Sequence, residues 1–350
     1  ALSDLARYQP RQHPALCFDY EAVARRYALC GMPPPSSGTL AIGQILGILN
    51  PTQAAKLPLQ QGQPSADWLH LYTEAARLAF ADRARHLGDP DFYPVPVEKL
   101  TSMAYADELA ARLRPDGQPE VASSLAPPPD DSGTTQVSIL DRKGNAVALT
   151  QSINTLFGSK ITVPGTGIVL NNHLDDFSID AATPNLWQAV GADANAIAPG
   201  KRPLSSMTPM IVMKDGRPVM ALGSPMGTMI ISAVLQTLLN TIDFGFDAQR
   251  AVMAPRFHHQ WQPDTLFLEP DFPRDVRERL EALGHTLGER SMIGAAELAL
   301  YDAATCYFWG GADGRRDSGV AGVNMGAPAA MTDEQRCAAV SDARVGDVPR

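Results

Sequence analysis

The stretch Asp131-Ser132-Gly133-Thr134-Thr135-Gln136-Val137-Ser138 sets a threonine pair behind a glycine, and a strand-like pattern follows. From Thr135 polar and apolar residues alternate to Asp141. The chain turns through Arg142-Lys143-Gly144-Asn145 and returns from Ala146 to Ser152, which reads as a β-hairpin. A threonine hydroxyl is a poor nucleophile unless a base lies beside it. Cleavage at Gly133–Thr134 gives Thr134 a free α-amino group with a reference pKa of roughly 7.7–8.0, able to take the proton of its own hydroxyl near neutral pH. Taken alone, the motif reads better as an ordinary hairpin that opens on two threonines.

Working outward, the N-terminal side reads as a short hairpin, the Pro-rich loop Met32 to Gly38, and helices over Gly43–Leu49, Ala66–Gly88 and Tyr105–Leu113. Arg114 to Gly133 is rich in Pro, Asp, Ser and Gly and reads as an exposed loop. On the C-terminal side strands are expected at Thr135–Asp141, Ala146–Ser152, Gly167–Asn171, Pro209–Met213 and Val219–Leu222. The last two are joined by the turn Lys214-Asp215-Gly216-Arg217. Gly227–Thr241 reads as a buried apolar helix, Phe272–Leu283 as an amphipathic one ended by Gly284, and the tail from Ala327 as poorly ordered. Hairpins followed by helices make an α+β fold, an antiparallel sheet covered by helices.

The chain has 350 residues, 45% hydrophobic and 19% charged, the composition of a folded globular protein. A net charge of −9 argues against nucleic acid or an anionic membrane as partner. No apolar run is long enough to span a bilayer. Ala1 opens without Met or signal peptide in what looks like protein interior, so the chain reads as a piece of a longer protein or a mature form lacking its leader. The four cysteines have no metal-ligand spacing; Cys17 and Cys30 either pair across a hairpin or stay as buried thiols.

The downstream motifs LTQSINTLFGSK, GTGIVLNNHLDDFS, GADANAIAPGKRPLSSMTP, LGSPMGT and APRFHHQW, in this order, resemble the small subunit of the γ-glutamyltranspeptidases, N-terminal nucleophile hydrolases. MPPPSSG and LAFADRARHLGDPDF resemble the later part of that family's large subunit, and the likeness runs from about Leu2 to Gly311. The resemblance implies a four-layer αββα sandwich lacking the family's N-terminal part, with residues 1–133 from the large subunit and 134–350 as the small one. It implies autocatalytic cleavage at Gly133–Thr134, γ-glutamyl transfer from glutathione to water or an amino acid, no cofactor and no metal, and a periplasmic or secreted location. The missing N-terminal segment of the large subunit is the implied partner; it supplies the Arg that clamps the substrate carboxylate, matched here by no residue. The rival readings are a glutaryl cephalosporin acylase and an inactive truncated homologue.

By the same resemblance Thr134 is the nucleophile, and Gly133 permits a strained backbone at the scissile bond. Gln136 replaces the family's His, on the opposite strand face from Thr135. Ser152 stands where a second Thr supports the nucleophile, and Asn154 binds substrate. Asp176 holds the substrate α-amino group, as a carboxylate suits an ammonium. His173 stands where Gln is usual and can donate to substrate in a pH-dependent way. Ser205 and Ser206 bind the α-carboxylate. Trp187 is the lid aromatic, or else a partly exposed core residue. Gly223-Ser224-Pro225-Met226-Gly227 opens an apolar helix whose unpaired N–H groups suit an oxyanion. Met226 replaces a glycine, which predicts restricted geometry and a weakened oxyanion hole. Adjacent Asp175 and Asp176 diverge and do not read as a metal site. Gly200-Lys201 and Gly165-Thr166-Gly167 do not fit nucleotide-binding patterns. His258 and His259 read as structural.

Overall fold

The computed structural model describes residues 2–22, 25–52, 54, 57, 59–60, 62–114, 132–180 and 183–322. The centre of the loop expected over 114–133 and the tail expected from Ala327 lie outside these residues. The helices are α1 (Leu2–Arg7), α2 (Gly38–Leu49), α3 (Ala66–His86), α4 (Val97–Leu100), α5 (Met103–Ala110), α6 (Met229–Ile242), α7 (Ala248–Met253) and α8 (Arg274–Ala282). The strands are β1 (Leu16–Ala22), β2 (Arg25–Gly31), β3 (Thr134–Leu140), β4 (Ala146–Ser152), β5 (Met210–Lys214), β6 (Arg217–Gly223), β7 (Phe257–His258), β8 (Leu266–Leu268), β9 (Leu287–Glu289), β10 (Glu297–Asp302) and β11 (Tyr307–Gly311).

An antiparallel six-stranded sheet, ordered β1-β2-β5-β6-β10-β11, is the middle of the molecule. Its turns follow local chemistry. Asp215 and Gly216 both adopt positive φ between β5 and β6, the geometry whose twist matches a two-residue hairpin. Cys17 lies opposite Cys30 in the β1–β2 register, and the two form a disulfide. Of the two readings the sequence left open, the pairing is the one observed.

On one face of the sheet, Leu29, Met210, Val212, Met220 and Leu222 share a core with α2, α3 and α6. Burying a side chain of this size stabilises by about 1.5–3 kcal/mol. Helix α3 is capped by Ser65, whose hydroxyl accepts from the Trp68 N–H, and is buried nearly all round. Helix α2 begins at Gly38 rather than Gly43. Gly38 abuts Thr208, where a Cβ would lie 1.8 Å from Oγ1, so the Pro-rich run passes directly into helix.

On the other face, the separate hairpin β3–β4 stacks against β5, β6 and β10. The sheet offers it small residues. Gly223 leaves room for Gln136, since a Cβ there would meet Gln136 Oε1 at 2.2 Å. Gln136, given little weight from sequence, is buried and accepts from Thr150 Oγ1 at 2.5 Å. Among the described residues the layers therefore run helix, sheet, hairpin, and no further helix layer covers the hairpin's outer face. The strand expected at Gly167–Asn171 is not formed; only an isolated bridge joins Thr162 and Val169. The helix expected from Gly227 starts at Met229, because Gly227 has φ +49° and Thr228 is the N-cap.

Candidate active site

The hairpin register sets Thr134 directly opposite Ser152. Thr134 Oγ1 lies 2.9 Å from Ser152 Oγ and receives a hydrogen bond from Ser132 Oγ at 3.0 Å. Thr134 is 6% exposed. The ladder continues backwards through the glycine: Gly133 N–H donates to Asn154 O at 2.8 Å, and Ile153 N–H donates to Gly133 O at 3.2 Å. The Gly133 carbonyl is thus already polarised by a donor. A Cβ on Gly133 would lie 2.1 Å from Thr155 O. Close approach, not a positive φ, requires glycine here, which revises the expectation of a strained backbone. Arg316 donates to Ser132 O at 2.9 Å and Thr134 O at 3.1 Å, gripping the carbonyls on either side of the junction.

Asn154 lies past the end of β4 with φ +75°, a conformation Asn tolerates better than most residues. Its Nδ2 donates to Asp176 Oδ1 and to Asn172 O, both at 3.3 Å, and its Oδ1 accepts from Trp187 Nε1 at 2.8 Å. Asp176 also pairs with His173, whose Nδ1 lies 2.7 Å from Oδ2. Asn185 and Asn195 donate to the Asp176 carbonyl, fixing this turn. Burial alone disfavours a charged His173, but the Asp176 hydrogen bond and charge, with the Ser152 carbonyl, outweigh it and raise its pKa. Asp175 turns away to Asn172, at 2.7 Å.

Trp187 is 4% exposed, buried rather than partly exposed. Its ring lies on Gly227, where a Cβ would come within 2.3 Å. Gln260 supports it from behind, its Nε2 donating to Trp187 O and its Oε1 accepting from Thr228 Oγ1 and from His258 Nε2. His258 is fully buried, and burial pushes its pKa down to about 3. It is a neutral structural group; His259 Nε2 lies 2.9 Å from Asp264 Oδ1.

Ser205 and Ser206 sit on a segment that bridges to Ser36 of the Pro-rich loop. Arg83, on α3, donates from Nη2 to Ser206 Oγ and from Nε to Ser37 Oγ, each at 2.9 Å. Burial pulls its pKa down to about 10, opposed by the Asp176 charge, so it stays cationic. Among the described residues no carboxylate lies within ion-pair distance of it. The sequence reading gave Arg83 no role; the motif LAFADRARHLGDPDF contained it, but nothing local separates it from neighbouring Arg85.

One cleft is lined by Arg83, Thr134, Ser152, Asn154, His173, Asp176, Trp187, Ser205, Ser206 and Gly227. Every expected site residue except Met226 therefore borders it. Met226 is fully buried, with its side chain among Met229, Phe267 and Ile293. It has φ +101°, so its backbone already takes a glycine-like conformation. A hydroxyl, a carboxylate and a guanidinium with two serines thus share one small cleft, suited to an acyl donor whose far end carries both charges.

A family model described as gamma-glutamyltranspeptidase matches residues 1–323. The chain is 43% identical over 297 residues to the glutathione hydrolase proenzyme of Escherichia coli, covering 84% of this chain and 50% of that protein. Its structure resembles a mutant of Helicobacter pylori gamma-glutamyltranspeptidase, with TM-score 0.51 and 43% identity, over 52% of this chain and all of that one. It also resembles the cephalosporin acylase of Bacillus halodurans, with TM-score 0.74 and 29% identity, over 91% of this chain and 55% of that one. The chain spans about half the length of the curated relatives it matches.

Proposed function

The chain belongs to the γ-glutamyltranspeptidase family, and on that premise we propose that it carries the catalytic half of an enzyme that transfers γ-glutamyl groups from glutathione and related donors to water or an amino acid. The observation that carries this reading is Thr134 Oγ1 held by Ser152 in the same cleft as Asp176 and the Arg83–Ser206 pair. Residues 1–133 then correspond to the end of a large subunit and 134–350 to a small one.

In the precursor, Thr134 Oγ attacks the Gly133 carbonyl and the acyl group moves from nitrogen to oxygen. Water opens the ester and leaves Thr134 with a free amine. The Ile153 N–H on the Gly133 oxygen and the Arg316 grip favour this step by fixing and polarising the peptide. In turnover, the Thr134 amine takes the hydroxyl proton as Oγ adds to the γ-glutamyl carbonyl. The N–H groups of Met226 and Gly227 receive the oxyanion. The leaving amine departs with the proton, and water or an amino acid cleaves the Thr134 ester. Asp176 holds the donor's ammonium. Ser205 and Ser206, with Arg83 behind them, hold its carboxylate, so the carboxylate meets a cation from within this chain.

The four-layer form follows if a helix layer from elsewhere in the whole protein covers the outer face of β3–β4. The Cys17–Cys30 disulfide supports an oxidising compartment, periplasmic or extracellular. Among the described residues no helix is long and apolar enough to cross a membrane. Mass spectrometry of the purified protein tests the central claim. A species beginning at Thr134 is expected, together with an uncut Thr134→Ala variant; cutting at the same bond in that variant removes Thr134 as the agent, and an uncut native chain favours the inactive-homologue reading.

A further inference from the structure

His173 has two neighbours, and both only accept. Nδ1 lies 2.7 Å from the Asp176 carboxylate and Nε2 lies 3.3 Å from the Ser152 carbonyl. A neutral imidazole has one N–H and would present a lone pair to one of these oxygens. Only the imidazolium donates to both. The ring is largely buried in the wall of the cleft, with 25% of its side chain exposed against 11% for Asp176. The charged groups facing the pair are Asp176 on the same turn, Arg83 from α3, and the Thr134 amine from β3 once the chain is cut. Asp175 is turned to Asn172.

Asp176 Oδ1 already accepts from Asn154, so a ligand ammonium approaching this carboxylate must contest Oδ2 with the His173 N–H. The contest also brings two cations together. A donor with no α-amino group leaves the His173–Asp176 pair intact and still presents its carboxylate to Ser206 and Arg83.

Building on the proposed activity, we propose that His173 is a specificity-determining residue: protonated, it holds Asp176 with a charged hydrogen bond and favours glutaryl-type donors, and neutral, it holds Asp176 through an uncharged N–H at most and yields the carboxylate to the ammonium of γ-glutamyl donors. The pair therefore sorts two donor classes that differ in a single amino group. The raised His173 pKa keeps the glutaryl-favouring form populated to higher pH than an ordinary histidine would.

The test compares kcat/KM for a γ-glutamyl anilide and a glutaryl anilide in the intact protein from about pH 5 to about pH 9. Titration of the Thr134 amine acts on both donors and cancels in the ratio. The γ-glutamyl-to-glutaryl ratio is expected to rise roughly ten- to hundredfold across this range, as for loss of a competing charged hydrogen bond. His173→Gln is expected to flatten it at the high-pH value. Calorimetry in two buffers of different ionisation enthalpy adds a readout that needs no turnover: L-glutamate binding near neutral pH releases a proton, and glutarate binding releases none. A flat ratio in the native protein, the same slope in His173→Gln, L-glutamate binding without proton release, or binding of neither ligand each overturns the proposal. Proton release without cleavage of either anilide upholds it and removes the enzymatic reading instead.

Discussion

Met226 shows how a residue identity and its backbone can point in opposite directions. The side chain predicts a poor oxyanion turn, because a Cβ disfavours the needed conformation. Yet φ is +101°, and the thioether is held in the Met229–Phe267–Ile293 cluster, accepting the Gly294 N–H at 3.4 Å. Packing energy keeps the turn in a shape that glycine would take freely. Met226→Gly should relieve about 1–3 kcal/mol of strain. It should also lose a buried side chain worth about 2–5 kcal/mol. The expected outcome is a lower melting temperature with kcat changed less than about threefold, since the backbone at this turn already has a glycine-like φ. A large rise in kcat would mean that Met226 misaligns the donors. Arg83 is the complementary case, a site cation hidden in a helix. Arg83→Met should raise KM about tenfold or more for γ-glutamyl and glutaryl donors alike, because both carry the carboxylate. Arg83→Lys should recover part of that loss. Selective loss of γ-glutamyl donors would place Arg83 elsewhere in the mechanism.

At the scale of elements, the β3–β4 hairpin is inside out. Thr134, Gln136, Thr150 and Ser152 face inward to the sheet and cleft, whereas Val137, Ile139, Val147 and Leu149 face outward. Val137 pairs with Leu149 and Ile139 with Val147, and each is 43–50% exposed, a continuous apolar face. The 350-residue chain by itself should bind a hydrophobic dye and self-associate. Replacing Ile139 and Leu149 by Glu should reduce both, measured by dye fluorescence and sedimentation; an unchanged signal would mean that another surface is responsible. The strand ends and the turn Arg142–Asn145 were legible because alternation and turn residues are local. Asp141 Oδ1 accepts from the Lys143 and Asn145 N–H groups, each at 2.8 Å, to close that turn. Other elements depended on distant contacts. Gly167–Asn171 reads as a strand but lacks a partner ladder, and the first turn of α2 hides behind prolines because its support comes from Thr208. Thr134, Asp176 and the serine pair were legible as motifs, whereas Arg83, Arg316 and Gln260 acquire their roles only from residues far away in the chain.

The whole molecule is held by buried polar groups as well as by its core, and these give it a pH dependence of definite sign. His258 lies between Ser232 on α6 and Gln260 behind Trp187, and His285 bonds His70 at 2.7 Å. Burial pushes His258 down to about 3; burial, then the His70 charge, do the same to His285. In the unfolded chain a histidine titrates near 6.5. Below about pH 6.5 the unfolded chain therefore binds protons that the folded one refuses, and stability falls as pH falls, by up to about 1.4 kcal/mol per pH unit for each such histidine. Asp313 adds a later step. Burial would raise its pKa, but the Arg256 and Arg315 charges hold it lowered, so its contribution is present above the usual carboxylate range and lost as pH falls through its folded value. His173 has the opposite sign, its stabilisation being complete at low pH and lost as pH rises through its raised pKa. That loss falls above about pH 6.5, so the two buried histidines govern the range below it, with Asp243 opposing them. The melting temperature should thus decline as pH drops from about 6.5 to about 4.5, offset in part by Asp243, whose burial raises its pKa to about 6 so that the folded chain takes up that proton first. His258→Asn should flatten part of that slope, at the cost of a lower melting temperature near pH 7.5, where the native histidine is neutral and bonded on both sides. A native melting temperature that stays level down to pH 4.5 would show that these histidines accept protons in the folded state, and that the support behind Trp187 is more open than its burial implies.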